Sequence, residues 1–472
     1  MKNSKILYIV GITLVATLGG LLFGYDTAVI SGAESSLQTY FAESLGLSSF
    51  VHGLTVSSAL IGCIIGGLLS GYFSSKIGRK YTLIVAAFLF LISALGSAYP
   101  EFLFFTPGEP SIALLATFNF YRIIGGIGVG LASAVAPMYI GEIAPPNLRG
   151  RLVSLNQFAI IFGMLVVYFV NWGIARGETM EWLNEIGWRY MFASETIPAF
   201  LFFLLLLFVP ETPRYLVSQH KEDKAMGILL KTYDATMAKA TLYEIKNSFD
   251  NKKEKLFVYG KGIIFIGILL SVFQQFVGIN VALYYAPRIF ESMGAARDAS
   301  LFQTIVMGLV NVIFTIIAIV TVDKVGRKPL LIIGSIGMAI GMFGVAGLAL
   351  FEQIGIATLV FIIIYTASFM MSWGPVVWVL LSEIFPNKIR GQALAIAVAF
   401  QWAANYFVSS TYPAMMEVSG AMTYGIYGIM SILSGLFVWK FIPETKGKSL
   451  EELEILLKKS QGVKNEVVEK AI

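Results

Sequence analysis

This chain has one cysteine, two histidines and few charges, and each shortage excludes a class of protein. Cys63 stands alone in an apolar run, so no disulfide can close within the chain and the redox compartment leaves no mark. His52 and His220 lie at unrelated places and cannot by themselves make a metal site. A membrane-embedded enzyme would need a nucleophile–base pair or a metal cluster, and none is visible, so no enzymatic activity, metal or cofactor is expected. Charged residues are 13% of the 472 residues and hydrophobic ones 57%, whereas a soluble domain carries roughly 25% charged residues. So few charges cannot clothe a water-exposed surface, and much of the surface must face lipid. The first apolar run, from about Ile6 to Ile30, is too long for a cleavable signal and lacks a small-residue cleavage site.

Long apolar runs are what the chain has in plenty. A helix needs about 20 apolar residues to cross a bilayer. Twelve spans fit, over 7–31, 52–74, 81–99, 112–139, 151–175, 189–209, 262–288, 300–322, 329–350, 355–382, 391–415 and 423–442. With the N-terminus in the cytoplasm, inner segments hold 29 of the 34 Lys and Arg. The outer segments hold Arg176, Arg189, Arg288 and Arg297, with acids such as Glu34, Glu101, Glu109 and Glu181. This positive-inside bias puts both termini in the cytoplasm. The basic balance thus reports topology, and no nucleic-acid partner is expected.

Three patterns occur twice in the same order. Ser75-Lys76-Ile77-Gly78-Arg79-Lys80 follows span two, and Asp323-Lys324-Val325-Gly326-Arg327-Lys328 follows span eight. Gly141-Glu142 through Arg149-Gly150 follows span four, and Ser382-Glu383 through Arg390-Gly391 follows span ten. Pro210-Glu211-Thr212 follows span six, and Pro443-Glu444-Thr445 follows span twelve. Three pairs in register predict an all-α membrane protein of twelve transmembrane helices in two six-helix bundles, with a transport site between them. The expected organisation is an N-terminal bundle at 1–209, a cytoplasmic helical linker at 210–261, a C-terminal bundle at 262–442 and a cytoplasmic tail at 443–472. The run Glu222 to Tyr243 alternates charge with apolar residues, as short amphipathic helices would. Ser449 followed by Glu452 is a capping-box pattern and predicts one more helix over 449–459.

Arg79, Arg149, Arg327 and Arg390 lie at span ends facing Glu142, Glu211, Glu383 and Glu444. Such pairs are expected to latch the cytoplasmic side while the cavity opens outward and to break when it opens inward. The alternative is snorkelling charges that only set topology.

Polar groups within spans are costly in hydrocarbon and therefore face a wet cavity or a partner. Span seven carries Gln274, Gln275 and Asn280 beside Tyr284 and Tyr285. On an unbroken helix Gln275 and Asn280 would lie about 140° apart, and Gly278 between them can bend the helix toward one cavity. Span eleven carries Gln401, Trp402 and Asn405, span five Asn156 and Gln157, and span ten Trp373-Gly374-Pro375 and Trp378. A sugar hydroxyl donates and accepts, as an amide does, and sugar C–H faces pack on indoles. Anionic substrates would call for several cavity cations. The alternative is interhelical glue.

Asp26 in span one, Arg122 in span four and Glu195 in span six are the formal charges read within the spans, away from the ends, at comparable depth in the outer half. A lone charge there is costly, so a carboxylate–guanidinium cluster is expected. Arg122 stays protonated, so a carboxylate must titrate. Proton uptake by Asp26 would release it from Arg122, and proton loss inside would restore the pair.

Gly24-Tyr25-Asp26-Thr27 through Gly32, the paired loop motifs and Gln274-Gln275-Phe276-Val277-Gly278-Ile279-Asn280 resemble the sugar porter family of the major facilitator superfamily, over nearly the whole chain. Within it, the chain is most similar to bacterial D-xylose:proton symporters. The resemblance implies a major facilitator fold in the cytoplasmic (inner) membrane, acting as a monomer on a monosaccharide and a proton. It implies sugar binding by Gln157, Gln274, Gln275, Asn280, Trp378 and Gln401, with Phe23, Tyr284, Asn311 and Trp402 around the sugar. It also implies coupling through Asp26, Arg122 and Glu195. Met164 stands where those relatives carry Gln, and Ser75 where the family's first loop often has an acid. Other expectations stay open: a symporter for arabinose, galactose or glucose, or an uncoupled facilitator. A sugar sensor of this fold would usually append a long signalling tail.

Overall fold

The computed structural model describes residues 3–102, 104–106, 108–248, 256, 261–292, 294–351, 355–385 and 389–446. Among them twelve helices are long and apolar enough to cross a membrane. The first six are Lys5–Glu43, Ser49–Lys76, Arg79–Ala98, Ile112–Ile143, Leu148–Ala175 and Met180–Leu206. The second six are Lys261–Tyr284, Arg297–Val325, Arg327–Leu350, Ile356–Leu381, Arg390–Val418 and Gly420–Phe441. They match the expected spans in number and order.

Span one runs well past the expected end at residue 31, finishing in a π-helical stretch, Gln38–Glu43. Its apolar pattern stops near Ser31, but the helix continues because Glu34 is buried and finds partners. Span six is likewise irregular: Leu183–Gly187 is π-helical, and Glu195 sits between the helices Trp188–Ser194 and Thr196–Leu206.

Close helix approach needs small residues, because lipid supplies no hydrophobic drive between helices. Spans two and four meet through Gly62 and Gly66 on one side and Gly126 and Gly130 on the other. A Cβ on Gly126 would lie 1.8 Å from the Ala59 carbonyl oxygen, and one on Gly62 would lie 2.0 Å from that of Ile123. In the second half, span nine packs on spans ten and twelve, and span seven on span eleven. The halves meet along span two with span eleven and span five with span eight. Exchanging the two sixes maps one of these interfaces onto the other, as the duplicated sequence requires.

The stretch between the halves forms three helices, Pro213–Ser218, Glu222–Thr232 and Ala235–Ser248, packed through Leu216, Val217, Ala225, Leu229, Tyr233 and Ala238. It is tied beneath the first half: Lys5 Nζ donates to the Leu230 carbonyl at 3.0 Å, and the Tyr139 hydroxyl to that of Pro210 at 2.6 Å. The expected tail helix over 449–459 lies outside the described residues.

Candidate functional site

A cavity of ≈ 1210 Å³ lies between the halves. It extends toward the end that carries the Gly-Arg-Lys loops, the basic end, where Gly150, Arg151, Asp323 and Arg327 line it. Span seven shapes its centre. The helix Lys261–Phe276 stops and Ile279–Tyr284 begins across Gly278, whose φ of +89° suits glycine alone. A Cβ there would also meet the Tyr427 ring at 2.8 Å. The Tyr365 hydroxyl donates to the Val277 carbonyl at 2.8 Å, satisfying a group freed by the break.

The break brings the amides into one chain. Asn280 Nδ2 donates to Gln275 Oε1 at 2.5 Å, Gln275 Nε2 to Gln274 Oε1 at 3.2 Å, and Gln274 Nε2 to the Trp373 carbonyl at 2.7 Å. On span eleven, which packs on span seven, Gln401 Oε1 and Trp402 Nε1 are buried and lack a hydrogen-bond partner among the described residues, as does Asn156 Oδ1 on span five. All three of these residues line the cavity. Buried polar atoms are normally satisfied, so the lining has hydrogen-bonding capacity to give. Phe23 and Trp402, from opposite halves, approach with ring centroids 5.5 Å apart. Asn405 Nδ2 donates to the Tyr284 hydroxyl at 3.4 Å, and Ser409 Oγ holds Asn405 Oδ1 at 3.0 Å. Met164 joins Ile160, Ile161 and Leu283 in an apolar wall.

Nine expected sugar residues line this cavity: Phe23, Gln157, Gln274, Gln275, Asn280, Tyr284, Trp378, Gln401 and Trp402. Asn311 is not among the lining residues; it is buried in span eight with its Oδ1 unpartnered among the described residues. Trp373 is fully buried, its indole N–H donating to Leu331 O at 3.0 Å and Ser335 Oγ at 2.9 Å, so it braces the break in span ten.

Asp26, Arg122 and Glu195 are all buried. Arg122 Nη1 donates to Asp26 Oδ1 at 2.7 Å and Nη2 to the Asp26 carbonyl at 3.0 Å, while its guanidinium lies 5.1 Å from the Phe192 ring centroid. Neither Glu195 oxygen has a hydrogen-bond partner among the described residues. Two carboxylates face one permanent cation, so the cluster is neutral only when it holds one proton.

At the basic end one arrangement is built twice. Arg79 Nη2 pairs with Glu142 Oε1 at 2.8 Å, and Arg327 Nη2 with Glu383 Oε1 at 2.8 Å. Thr212 and Thr445 hydroxyls donate to the other oxygens of those acids, each at 2.6 Å. Glu211 accepts the backbone N–H groups of Arg79 and Lys80 at 3.1 and 3.0 Å, and Glu444 those of Arg327 and Lys328 at the same distances. Each Pro-Glu-Thr motif therefore caps the helix starting at Gly-Arg-Lys, where free N–H groups attract an acid. Burial pushes the Glu211 carboxyl above its ordinary range, despite the backbone donors at Thr212, Lys80 and Arg79. Asp323 adds a 2.9 Å contact to Arg327 that Ser75 cannot supply to Arg79.

The expectation that these pairs break when the cavity opens at this end is not met for Arg79–Glu142 and Arg327–Glu383. Each pair is closed because arginine and acid belong to the same half. Arg390 Nε instead donates to the Phe385 carbonyl at 3.2 Å, and Arg149 is exposed.

The family model described as sugar (and other) transporter matches residues 12–457. The chain belongs to this sugar transporter family. The transporter is 57% identical over 471 residues to the D-xylose-proton symporter of Escherichia coli (strain K12), covering 95% of this chain and 96% of that protein. It is 42% identical over 456 residues to the arabinose-proton symporter of Bacillus subtilis (strain 168), covering 95% of each. Among solved structures, the inward open conformation of the xylose transporter XylE from E. coli matches with a TM-score of 0.87 and 56% identity, over 95% of this chain and all of that one. XylE bound to 6-bromo-6-deoxy-D-glucose, a proton:xylose symporter of the major facilitator superfamily, matches at 0.82 and 55% identity, over 96% and 100%. The transporter thus has the expected fold, and its cavity opens at one end.

The opposite end of the transporter holds what sequence reasoning missed. Glu34, an outer-loop acid by its place after the apolar run, is 1% exposed within span one. Its Oε1 accepts from His52 Nε2 at 2.7 Å and Arg288 Nη1 at 2.6 Å. Arg189 is buried against Glu101 and donates to Tyr40 Oη at 3.1 Å. Asp26, Arg122 and Glu195 are therefore not the only charges inside the helices. The signal lay in the small residues Ser31, Gly32 and Ala33 before Glu34, which let the helix run on in a packed setting.

Proposed function

We propose that the transporter carries a monosaccharide, D-xylose first, together with a proton by alternating access, with the basic end in the cytoplasm. The observation that carries this reading is the pairing of an amide- and indole-lined cavity with a buried cluster of two carboxylates and one guanidinium beside it. Neutral amides match sugar hydroxyls. Gln157, Gln274, Gln275, Asn280 and Gln401 hold the ring, Trp378, Trp402 and Phe23 pack on its C–H faces, and Tyr284 closes over it. The cluster's odd charge gives the proton its place: Asp26 paired with Arg122, as here, is the deprotonated state, suited to a cavity open to the cytoplasm. Proton arrival from outside breaks that pair and frees the first half to move. Symport of D-xylose with a proton by a relative sharing 57% of residues supports the substrate and the coupling. The protein acts as a monomer in the cytoplasmic membrane, with no cofactor.

A second reading is another pentose or hexose. It is favoured by the apolar wall at Met164 and by the arabinose-proton symporter at 42% identity. Uptake of radiolabelled D-xylose, L-arabinose and D-glucose into proteoliposomes, with and without a proton gradient, decides between them. Gradient-driven xylose accumulation is expected. Equal, gradient-independent equilibration of any of the sugars would contradict the coupling.

A further inference from the structure

The end opposite the basic loops is shut, and a set of contacts there crosses between the halves. Glu34 of span one takes Arg288 of the second half at 2.6 Å, and Arg297 of the second half donates to the Gly32 carbonyl at 2.6 Å. Ser49 and Glu417, again from opposite halves, also hydrogen-bond. A Cβ on Gly53 would lie 2.1 Å from the Ser410 carbonyl oxygen, so spans two and eleven touch there. None of these groups lines the sugar cavity.

We propose that Glu34, His52 and Arg288 form the outer gate clamp of the transport cycle, closing when the cavity opens inward and parting when it opens outward. This rests on the alternating-access reading above. The asymmetry of the cluster carries the argument. Glu34 and His52 are both nearly fully buried and belong to the first half, so they travel together. Arg288 is one-third exposed and belongs to the second half. When the halves separate at this end, Arg288 leaves into water, where a guanidinium is stable, and His52 Nε2–H remains on Glu34 Oε1. No bare buried carboxylate is left behind, which is what makes the contact reversible. A static ion pair would need no third partner of this kind.

The clamp is also wired to the sugar. Arg288 lies in the short helix Ala286–Ser292, directly after the helix Ile279–Tyr284 that presents Asn280 and Tyr284 to the cavity. Both pieces are cut from the long first part of span seven at Gly278. A sugar that draws Asn280 and Tyr284 inward therefore carries Arg288 toward Glu34.

The test places spin labels at Ser44→Cys and Ala299→Cys, exposed at the outer ends of the two halves, and reads their distance distribution in the full-length protein. Arg288→Gln should raise the ratio of long to short distances by about tenfold, within the usual range of conformational coupling. Glu34→Gln should do the same in smaller measure, because Arg288 keeps its bond to Gln38 Oε1, and the double variant should add little beyond Arg288→Gln, which already removes the shared contact. Arg288→Lys should return part of the short population. D-xylose binding should survive in the Arg288 variants, which also verifies folding. A sugar-binding Arg288→Gln protein with the wild-type distribution, an Arg288→Lys protein with no more short distances than Arg288→Gln, or a double variant shifted by the sum of the two single shifts would overturn the clamp. If the distances shift as expected but the wild type takes up no monosaccharide, the clamp stands and the substrate reading falls.

Discussion

Replacing Asp26 by Asn removes one titratable group and almost no volume. In the structure Arg122 keeps its 3.0 Å bond to the residue 26 backbone carbonyl, which the substitution leaves in place, and the amide oxygen can replace Oδ1 as acceptor. Glu195, buried and without a hydrogen-bond partner among the described residues, then supplies the counter-charge to Arg122. The cluster becomes neutral without a proton, so nothing ties the first half's movement to proton uptake. One charge crossing about 100 mV is worth about 2.3 kcal/mol, or an accumulation ratio of about 50-fold for one proton per sugar. Asp26→Asn should bring that ratio to about 1, a loss of the same size. Sugar binding should stay within a few-fold, since Asp26 does not line the cavity. The assay is uphill D-xylose uptake in vesicles under an imposed gradient, beside equilibrium binding on the same preparation. Undiminished accumulation would remove Asp26 from the coupling, and loss of binding would show that the cluster shapes the site.

Other expectations follow from the same geometry. Gln274→Ala or Gln275→Ala cuts the amide chain and leaves its neighbours unpaired, so calorimetry should find sugar binding weaker by ~1–3 kcal/mol; unchanged affinity in both would move the site away from span seven. Glu383→Ala removes the acid that ties Arg327 to span ten, leaving it Asp323 of its neighbouring turn, and strands the Thr445 hydroxyl, so counterflow should fall while sugar binding largely persists. Arg149→Ala should do the same with no loss of thermal stability, since Arg149 is exposed; normal counterflow in both variants would leave these charges a role in topology alone. Gly126→Ala drives a methyl into the Ala59 carbonyl, and thermal unfolding should show a loss of about 1–3 kcal/mol, the usual cost of overpacking.

Apolar length and the duplicated loop motifs make the twelve helices and their halving legible, because both are local patterns. Most of the cavity lining is legible for a different reason: Gln275, Asn280 and Gln401 are too polar for lipid, and so must meet water, ligand or one another. Partner choice is less so. Charge alone matches Arg79 and Arg327 to suitable acids, but whether each takes an acid of its own half or one across the halves, and so whether the pair can work as a latch, depends on helix packing that no local pattern encodes. Asn311 illustrates the same limit, since a buried amide in span eight reads like a cavity residue until the rotation of the helix is known. Glu34 reads as a loop acid because a carboxylate ends an apolar run. Its burial is possible only through His52 and Arg288, partners 18 and 254 residues away.

The central claim is that sugar and proton move together. D-Xylose added to weakly buffered proteoliposomes holding the wild-type protein should alkalinise the outer medium, with about one proton disappearing per sugar taken up, as a cluster neutral with one proton requires. Sugar uptake at the same rate with no change in external pH would contradict it.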